Sequence, residues 1–175
     1  MSSQRLQKIL FMRHGIAVDR DEFVGEDDKR PLTDKGVKKV AIVARKMADL
    51  FVPDVIVSSD LVRAQETAAI CRDALLRERG DLVPMHVLKG QNNILRPESH
   101  PQEWLAFFAA EPRLQMASTV LVVGHEPNLS GVLQMVTKGQ AKITKFKKAG
   151  LAVLEPEAPG SHWHLKAYWA PKDWN

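Results

Sequence analysis

Three short apolar runs constrain this chain most: Ile9-Leu10-Phe11-Met12, Val55-Ile56-Val57 and Val120-Leu121-Val122-Val123. A short continuous apolar run bounded by Gly or polar residues reads as a strand buried on both faces, the kind found in parallel sheets. Each run then delivers polar residues. Arg13-His14-Gly15 follows the first. Ser58-Ser59 and then Arg63-Ala64-Gln65-Glu66-Thr67 follow the second, and Gly124-His125-Glu126-Pro127 follows the third. In open α/β sheets, ligands bind beyond the carboxyl ends of the strands. If the three strands are parallel neighbours, Arg13, His14, Arg63 and His125 meet at one sheet end. Gly15 is expected to turn the backbone sharply and leave room for a ligand.

Helical patterns separate the runs. Thr33 is the expected N-cap of a helix in which Val37, Val40, Ala41, Ala44, Met47 and Ala48 recur at helical spacing. Pro53 ends the connection to a strand at 54–58. A second helix is expected over 61–78, with Ala64, Ala68, Cys71 and Leu75 inward and Gly80 closing it. A short strand at 83–88, a loop at 92–99 and a helix at 101–110 follow, the helix with Trp104, Leu105 and Phe108 inward. A central strand at 119–123 leads into a helix at 129–137. Strands at 149–154 and 163–169 close the chain as a hairpin around Pro159-Gly160. Residues 1–8 are polar and expected to fray. The alternation predicts an α/β fold, a three-layer α/β/α sandwich with a mostly parallel central sheet and an antiparallel edge.

A length of 175 residues suits a single domain spanning 1–175. The net charge of +4 accommodates an anionic substrate without requiring nucleic acid. The basic stretch 138–148 has no aromatic platform beside its lysines and reads as a solvated loop, so no nucleic-acid partner is expected. Asp19, Asp21, Glu22, Glu26, Asp27 and Asp28 crowd 18–30. That segment is either a solvated loop or a rim that orders over a substrate. Cys71 is the one cysteine, which excludes an intramolecular disulfide, and its helical setting argues against a cysteine-phosphatase nucleophile. His86, His162 and His164 fall on strand edges, and no Cys/His spacing marks a metal site. The first apolar run is too short for a signal peptide, and nothing approaches the ~20 apolar residues of a membrane span. A cytoplasmic protein without membrane contact is therefore expected.

Arg13-His14-Gly15 after a strand, Ser58-Ser59 with Arg63-Ala64 and Thr67, and Gly124-His125 after a late strand resemble the histidine phosphatase superfamily. Arg30-Pro31-Leu32-Thr33 with Gly36, and the small size, resemble its SixA-like phosphohistidine phosphatase branch. The resemblance covers residues 8–156. It implies a phosphoglycerate mutase-like fold, His14 as nucleophile, Arg13 and Arg63 as phosphate clamps, and His125 as a donor to phosphate oxygens. Arg30 and Ser59 are further binding candidates. Arg30 alternatively pairs with the acidic loop, and Ser59 alternatively caps the helix that follows it.

The chemistry suits these residue types. Guanidinium forks match phosphoryl oxygens and stay charged. A neutral imidazole can attack phosphorus and hold it as phosphohistidine. Nearby arginines depress the imidazole pKa, and a backbone carbonyl should accept from its other nitrogen to fix the tautomer. The departure lies in the general acid. Many members of the family carry a carboxylate after the third strand, whereas here the stretch reads Gln91-Asn92-Asn93-Ile94-Leu95-Arg96-Pro97-Glu98-Ser99-His100. Asn93 stands near the expected position, and Glu98 and His100 are the loop candidates for an acid. The resemblance therefore implies a metal-independent, cofactor-free phosphatase acting on phosphohistidine in proteins through a covalent intermediate on His14. The alternatives are a phosphatase for small phosphate esters and a non-catalytic phosphoprotein-binding module.

Overall fold

The computed structural model describes residues 7–89, 93–158 and 162–174. The expected fraying of 1–6, the start of the 92–99 loop and the Pro159-Gly160 turn lie outside the described residues. Six strands form one sheet: β1 (Lys8–Arg13), β2 (Val55–Ser59), β3 (Met85–Leu88), β4 (Thr119–Gly124), β5 (Leu151–Pro156) and β6 (Trp163–Trp169). Their spatial order is β3-β2-β4-β1-β5-β6. β3, β2, β4 and β1 run parallel, β5 is antiparallel to β1, and β6 is antiparallel to β5. The three polar-tipped strands are thus parallel neighbours. Arg13 pairs in register with Gly124, so His14 and His125 step off adjacent strands side by side.

Helices cover both faces. On one face, α1 (Asp34–Leu50) and α2 (Val62–Arg79) pack over Leu10, Met12, Ile56, Leu121 and Val123. On the other, α3 (Pro101–Ala110), α4 (Pro112–Met116) and α5 (Asn128–Val136) contribute to the cluster around Ile9, Phe11, Val57, Val120 and Val122. The strand side chains alternate between the two clusters, as the period of 2 requires. The architecture is the expected three-layer sandwich with a phosphoglycerate mutase-like arrangement. Among the described residues, no helix is long and apolar enough to cross a membrane.

The Thr33 hydroxyl accepts from Gly36 N and caps α1. The buried stripe is Gly36, Val40, Val43, Ala44, Met47 and Ala48. Val37 and Ala41, expected inside, face solvent. Gly36 sets that phase: a Cβ there would collide with the backbone oxygen of Ile16, so α1 lies against the segment carrying His14. Gly15 belongs to the same contact. A Cβ on it would come 2.5 Å from Val40 Cγ2. Its missing side chain makes room for α1, where room for a ligand was expected.

α2 ends at Gly80, which adopts the left-handed conformation (φ 75). Cys71 is buried in α2 with its sulfur 3.6 Å from Met12 Sδ, and burial pushes its thiol pKa up to about 12. That is the opposite of a reactive thiolate. Trp104 is buried and stacks on Phe108 at 4.3 Å between ring centroids, whereas Leu105, expected inward, is exposed. α4 was not foreseen, because five residues carry too little periodicity to register.

Candidate active site

β1 and β4 deliver Arg13, His14 and His125 directly, and the first turn of α2 delivers Arg63. The ring centroids of His14 and His125 lie 4.9 Å apart. Backbone bonds fix the crossing: His14 N donates to Gly124 O at 3.1 Å, and Ala149 N donates to the carbonyls of Arg13 and His14. Gly15 N donates to the Thr67 hydroxyl at 3.1 Å, which in turn donates to Arg63 O at 2.7 Å. Thr67 therefore ties the segment after β1 to the helix turn that carries Arg63. Its place in the motif was visible in the sequence, but this positioning contact was not.

His14 Nδ1 lies 2.7 Å from Gly15 O, so this nitrogen carries the proton and donates to the carbonyl. Nε2 is left with its lone pair. Burial lowers the His14 pKa to about 3, with the Gly15 carbonyl opposing and Arg63, Arg13 and Lys148 reinforcing the shift. Burial likewise lowers His125 to about 2, helped by His14, Arg63 and Arg13. Both rings are therefore neutral at neutral pH in the free protein.

Each arginine is anchored at one end. Arg13 Nη1 donates to Phe146 O at 2.7 Å. Arg63 Nη1 donates to Asp27 O at 2.9 Å, and its Nη2 donates to the Asp27 carboxylate at 3.1 Å. Arg13 Nε, Arg63 Nε and both ring nitrogens of His125 are buried without a protein partner. These make four of the six such atoms among the described residues, gathered around one histidine. Buried unpartnered polar groups cost about 1–3 kcal/mol each, so their concentration here needs an explanation. An oxyanion bridging them supplies one.

The weaker candidates fall elsewhere. Arg30 donates to Asp27 Oδ1 at 3.0 Å and to Val18 O at 2.7 Å, the alternative pairing with the acidic loop. Ser59 is buried and accepts from Leu61 N, the residue before α2; no side chain caps the helix, so the expected capping role is not realised. Glu98 is exposed and sits 3.8 Å from Arg96 Nη1. His100 is exposed, and its Nδ1 caps α3 by accepting from Gln102 N. Among the described residues, no hydrogen bond or ion pair joins Glu98 or His100 to His14 or His125. Asn93 is buried; its amide donates to Asp60 and Leu88 O and its side-chain oxygen accepts from Leu95 N. It is a structural hub, where a carboxylate was sought.

The chain matches the histidine phosphatase superfamily (branch 1) over residues 9–115. It belongs to that superfamily. An uncharacterised protein of Picosynechococcus sp. is 31% identical over 153 residues, covering 86% of each chain. The mitochondrial serine/threonine-protein phosphatase Pgam5 of Drosophila yakuba is 30% identical over 143 residues, covering 70% of this chain and 48% of its own length. Among solved structures, the protein histidine phosphatase SixA complexed with tungstate superposes with a TM-score of 0.78 at 20% identity, covering 96% of this chain and 99% of that one.

This histidine phosphatase superfamily chain carries three further features, of which the sequence had offered only the pairing of Arg30 with the acidic loop, as an alternative. The acidic loop docks: Asp27 meets Arg63, Arg30 and Arg20, and Asp28 meets Arg96 at 2.7 Å. Burial opposes ionisation of Asp27, but the field of Arg63, with Arg20 and Arg30, holds its carboxyl below the usual range. Glu126, directly after His125, accepts from the Ser130 hydroxyl and acts electrostatically on Arg13. Thirdly, Glu157, His162 and His164 each place a ligand atom within 4.8 Å of the others, although no Cys/His spacing had suggested a metal site. This group comes from both arms of the β5–β6 hairpin. It lies past the amino end of β1, away from His14.

Proposed function

We propose that this chain is a metal-independent phosphatase of the SixA-like branch that hydrolyses phosphohistidine in proteins through a covalent intermediate on His14. The observation that carries the proposal is the set of unpartnered donors on Arg13, Arg63 and His125 around a neutral His14 whose Nδ1 proton is already engaged. His14 Nε2 attacks phosphorus in line. The new P–N bond forms as the bond to the leaving nitrogen breaks, and the electron pair stays on that nitrogen; with the substrate ring protonated on its other nitrogen, it leaves as neutral imidazole. Positive charge developing on His14 is eased by the Nδ1–H bond to Gly15 O. Arg13 and Arg63 neutralise the equatorial oxygens, where phosphoryl-transfer charge accumulates. Water then attacks the phosphohistidine, releases inorganic phosphate and returns neutral His14. The superposed SixA binds tungstate, a tetrahedral oxyanion, consistent with this kind of cradle.

The substrate assignment rests on the leaving group. Imidazole, from a ring that solvent can protonate, and aryl oxides leave without a positioned acid, whereas alkoxides depend on one worth about 10² to 10⁴ in rate. Glu98 and His100 are exposed loop residues that contact Arg96 and Gln102. Glu126 supports a second reading, a phosphatase for phosphate esters, because it places a carboxylate close enough to Arg13 to act on it; the Drosophila relative is itself named a serine/threonine-protein phosphatase. Turnover of phosphohistidine peptide, aryl phosphate, phosphoserine peptide and sugar phosphate separates the readings. Fast hydrolysis of the first two and slow hydrolysis of the others is expected. Equal rates, with ester hydrolysis selectively lost in Glu126→Gln, would place the ester phosphatase first. No turnover on any of them would leave a binding module.

A further inference from the structure

Beside the candidate active site lies an open cavity of about 410 Å³, lined by Lys39, Lys147, Lys148 and Lys172 together with the apolar residues Ile16, Ala170 and Pro171. Four separate segments build it: the chain just after β1, the first turns of α1, the 138–148 basic loop and the carboxyl-terminal 3-10 helix Pro171–Trp174 with the residue before it. It adjoins the site through the backbone. Ile16 is two residues past His14, and Lys148 precedes Ala149, whose N–H is bound to the carbonyls of Arg13 and His14. Among the described residues none of the four lysines has a carboxylate within ion-pair distance; Asp19 is the acidic group whose field reaches Lys148. Burial lowers the Lys148 pKa, and Arg13, Arg30 and Arg63 lower it further, so Lys148 shares the field of the phosphate clamps.

Four like charges gathered at a cavity with no ion-paired carboxylate, Asp19 and Asp173 being the acidic groups nearby, repel one another and focus the potential for an anion. The first anion, the transferred phosphoryl, is placed by Arg13, Arg63 and His125. We propose that the lysine cavity holds a second anionic group of the same substrate molecule, a carboxylate or phosphate, so that the chain selects phosphorylated substrates carrying a further negative charge. This deepens the phosphatase reading and rests on it for the placement of the first anion. The two sources of such a group are acidic residues flanking a phosphorylated side chain and a second phosphate on a small molecule.

Calorimetric titration of the full chain with alkane bisphosphonates of increasing spacer length, beside matched monophosphonates, tests the cavity without requiring turnover. The best bisphosphonate is expected to bind about tenfold more tightly than its monophosphonate, and Lys39→Ala with Lys172→Ala should remove most of that gain. A control pair, Lys46→Ala with Lys166→Ala, takes the same charge from exposed lysines that do not wall the cavity and should keep the gain. Circular dichroism establishes that each variant is folded. Equal affinity for both ligand classes, or a gain lost equally in both double variants, would overturn the proposal. The source follows from kcat/KM on two pairs: phosphohistidine peptides flanked by glutamate or glutamine, and small bisphosphates against monophosphates. The pair whose preference depends on Lys39 and Lys172 names the source, and no lysine-dependent preference in either pair overturns the proposal. A chain that binds bisphosphonates through these lysines yet hydrolyses nothing fails the phosphatase reading alone.

Discussion

Acidification should destabilise this fold well above the carboxylate range, through two histidines. The buried rings of His14 and His125 resist protonation, with pKa values lowered to about 3 and about 2. In the unfolded chain both return to about 6.5. Below about pH 6.5 the unfolded state therefore takes up protons that the native state refuses, and stability falls by up to about 1.4 kcal/mol per pH unit for each histidine. The stabilisation is complete above the unfolded value and is lost as pH drops toward the folded values. At about pH 4.5 the loss is about 2–3 kcal/mol for each ring, or about 5 kcal/mol together, against a total of about 5–15 kcal/mol for a typical domain. Asp27, held below its ordinary range chiefly by Arg63 against a burial effect, loses its contribution only at lower pH and leaves this window to the histidines. Urea unfolding between about pH 7.5 and about pH 4.5 measures the slope. His14→Asn with His125→Asn should flatten it. A wild-type stability that is level across this window, or a slope unchanged in the double variant, would refute the neutral-histidine site.

Arg63→Ala and His125→Ala should each reduce kcat on an aryl phosphate by about a hundredfold or more, the scale of losing one transition-state donor; a near-neutral effect in steady-state kinetics would remove that residue from the clamp. Asp27→Asn removes the carboxylate on Arg63, so inorganic phosphate should inhibit the variant about tenfold more strongly, the worth of about 1.4 kcal/mol; unchanged inhibition would show that Asp27 does not compete for the guanidinium. Exhaustive dialysis against a chelator should leave activity intact, because Arg13, Arg63 and His125 supply the charge; loss of rate restored by one divalent metal would contradict this.

The parallel core of the fold and the central residues of the candidate site were legible because these residues end or closely follow strands whose apolar runs are continuous. Burial on both faces leaves such runs no other placement, and the polar residues that end them mark the sheet's carboxyl edge. The one unknown was adjacency, which the β1–β4 register settles by pairing Arg13 with Gly124. What was not legible depends on contacts between distant segments. Asp27 reads as one of many acids in 18–30 until Arg63 is seen across from it, 36 residues away. Asn93 reads as a missing carboxylate until its bonds to Asp60 and Leu88 show a hub. The phase of α1 failed at Val37 and Ala41 because the close approach at Gly36, rather than the hydrophobic pattern, decides which face turns inward.

The central claim, covalent phosphoryl transfer to His14, is tested most directly by rapid acid-free quenching of the enzyme with labelled phosphohistidine peptide or aryl phosphate, followed by peptide mapping. The account predicts an acid-labile, base-stable phosphoryl group on Nε2 of His14, formed and discharged at rates that support turnover and absent in folded, inactive His14→Ala. Turnover at the wild-type rate in His14→Ala, or label accumulating on another residue, would contradict it.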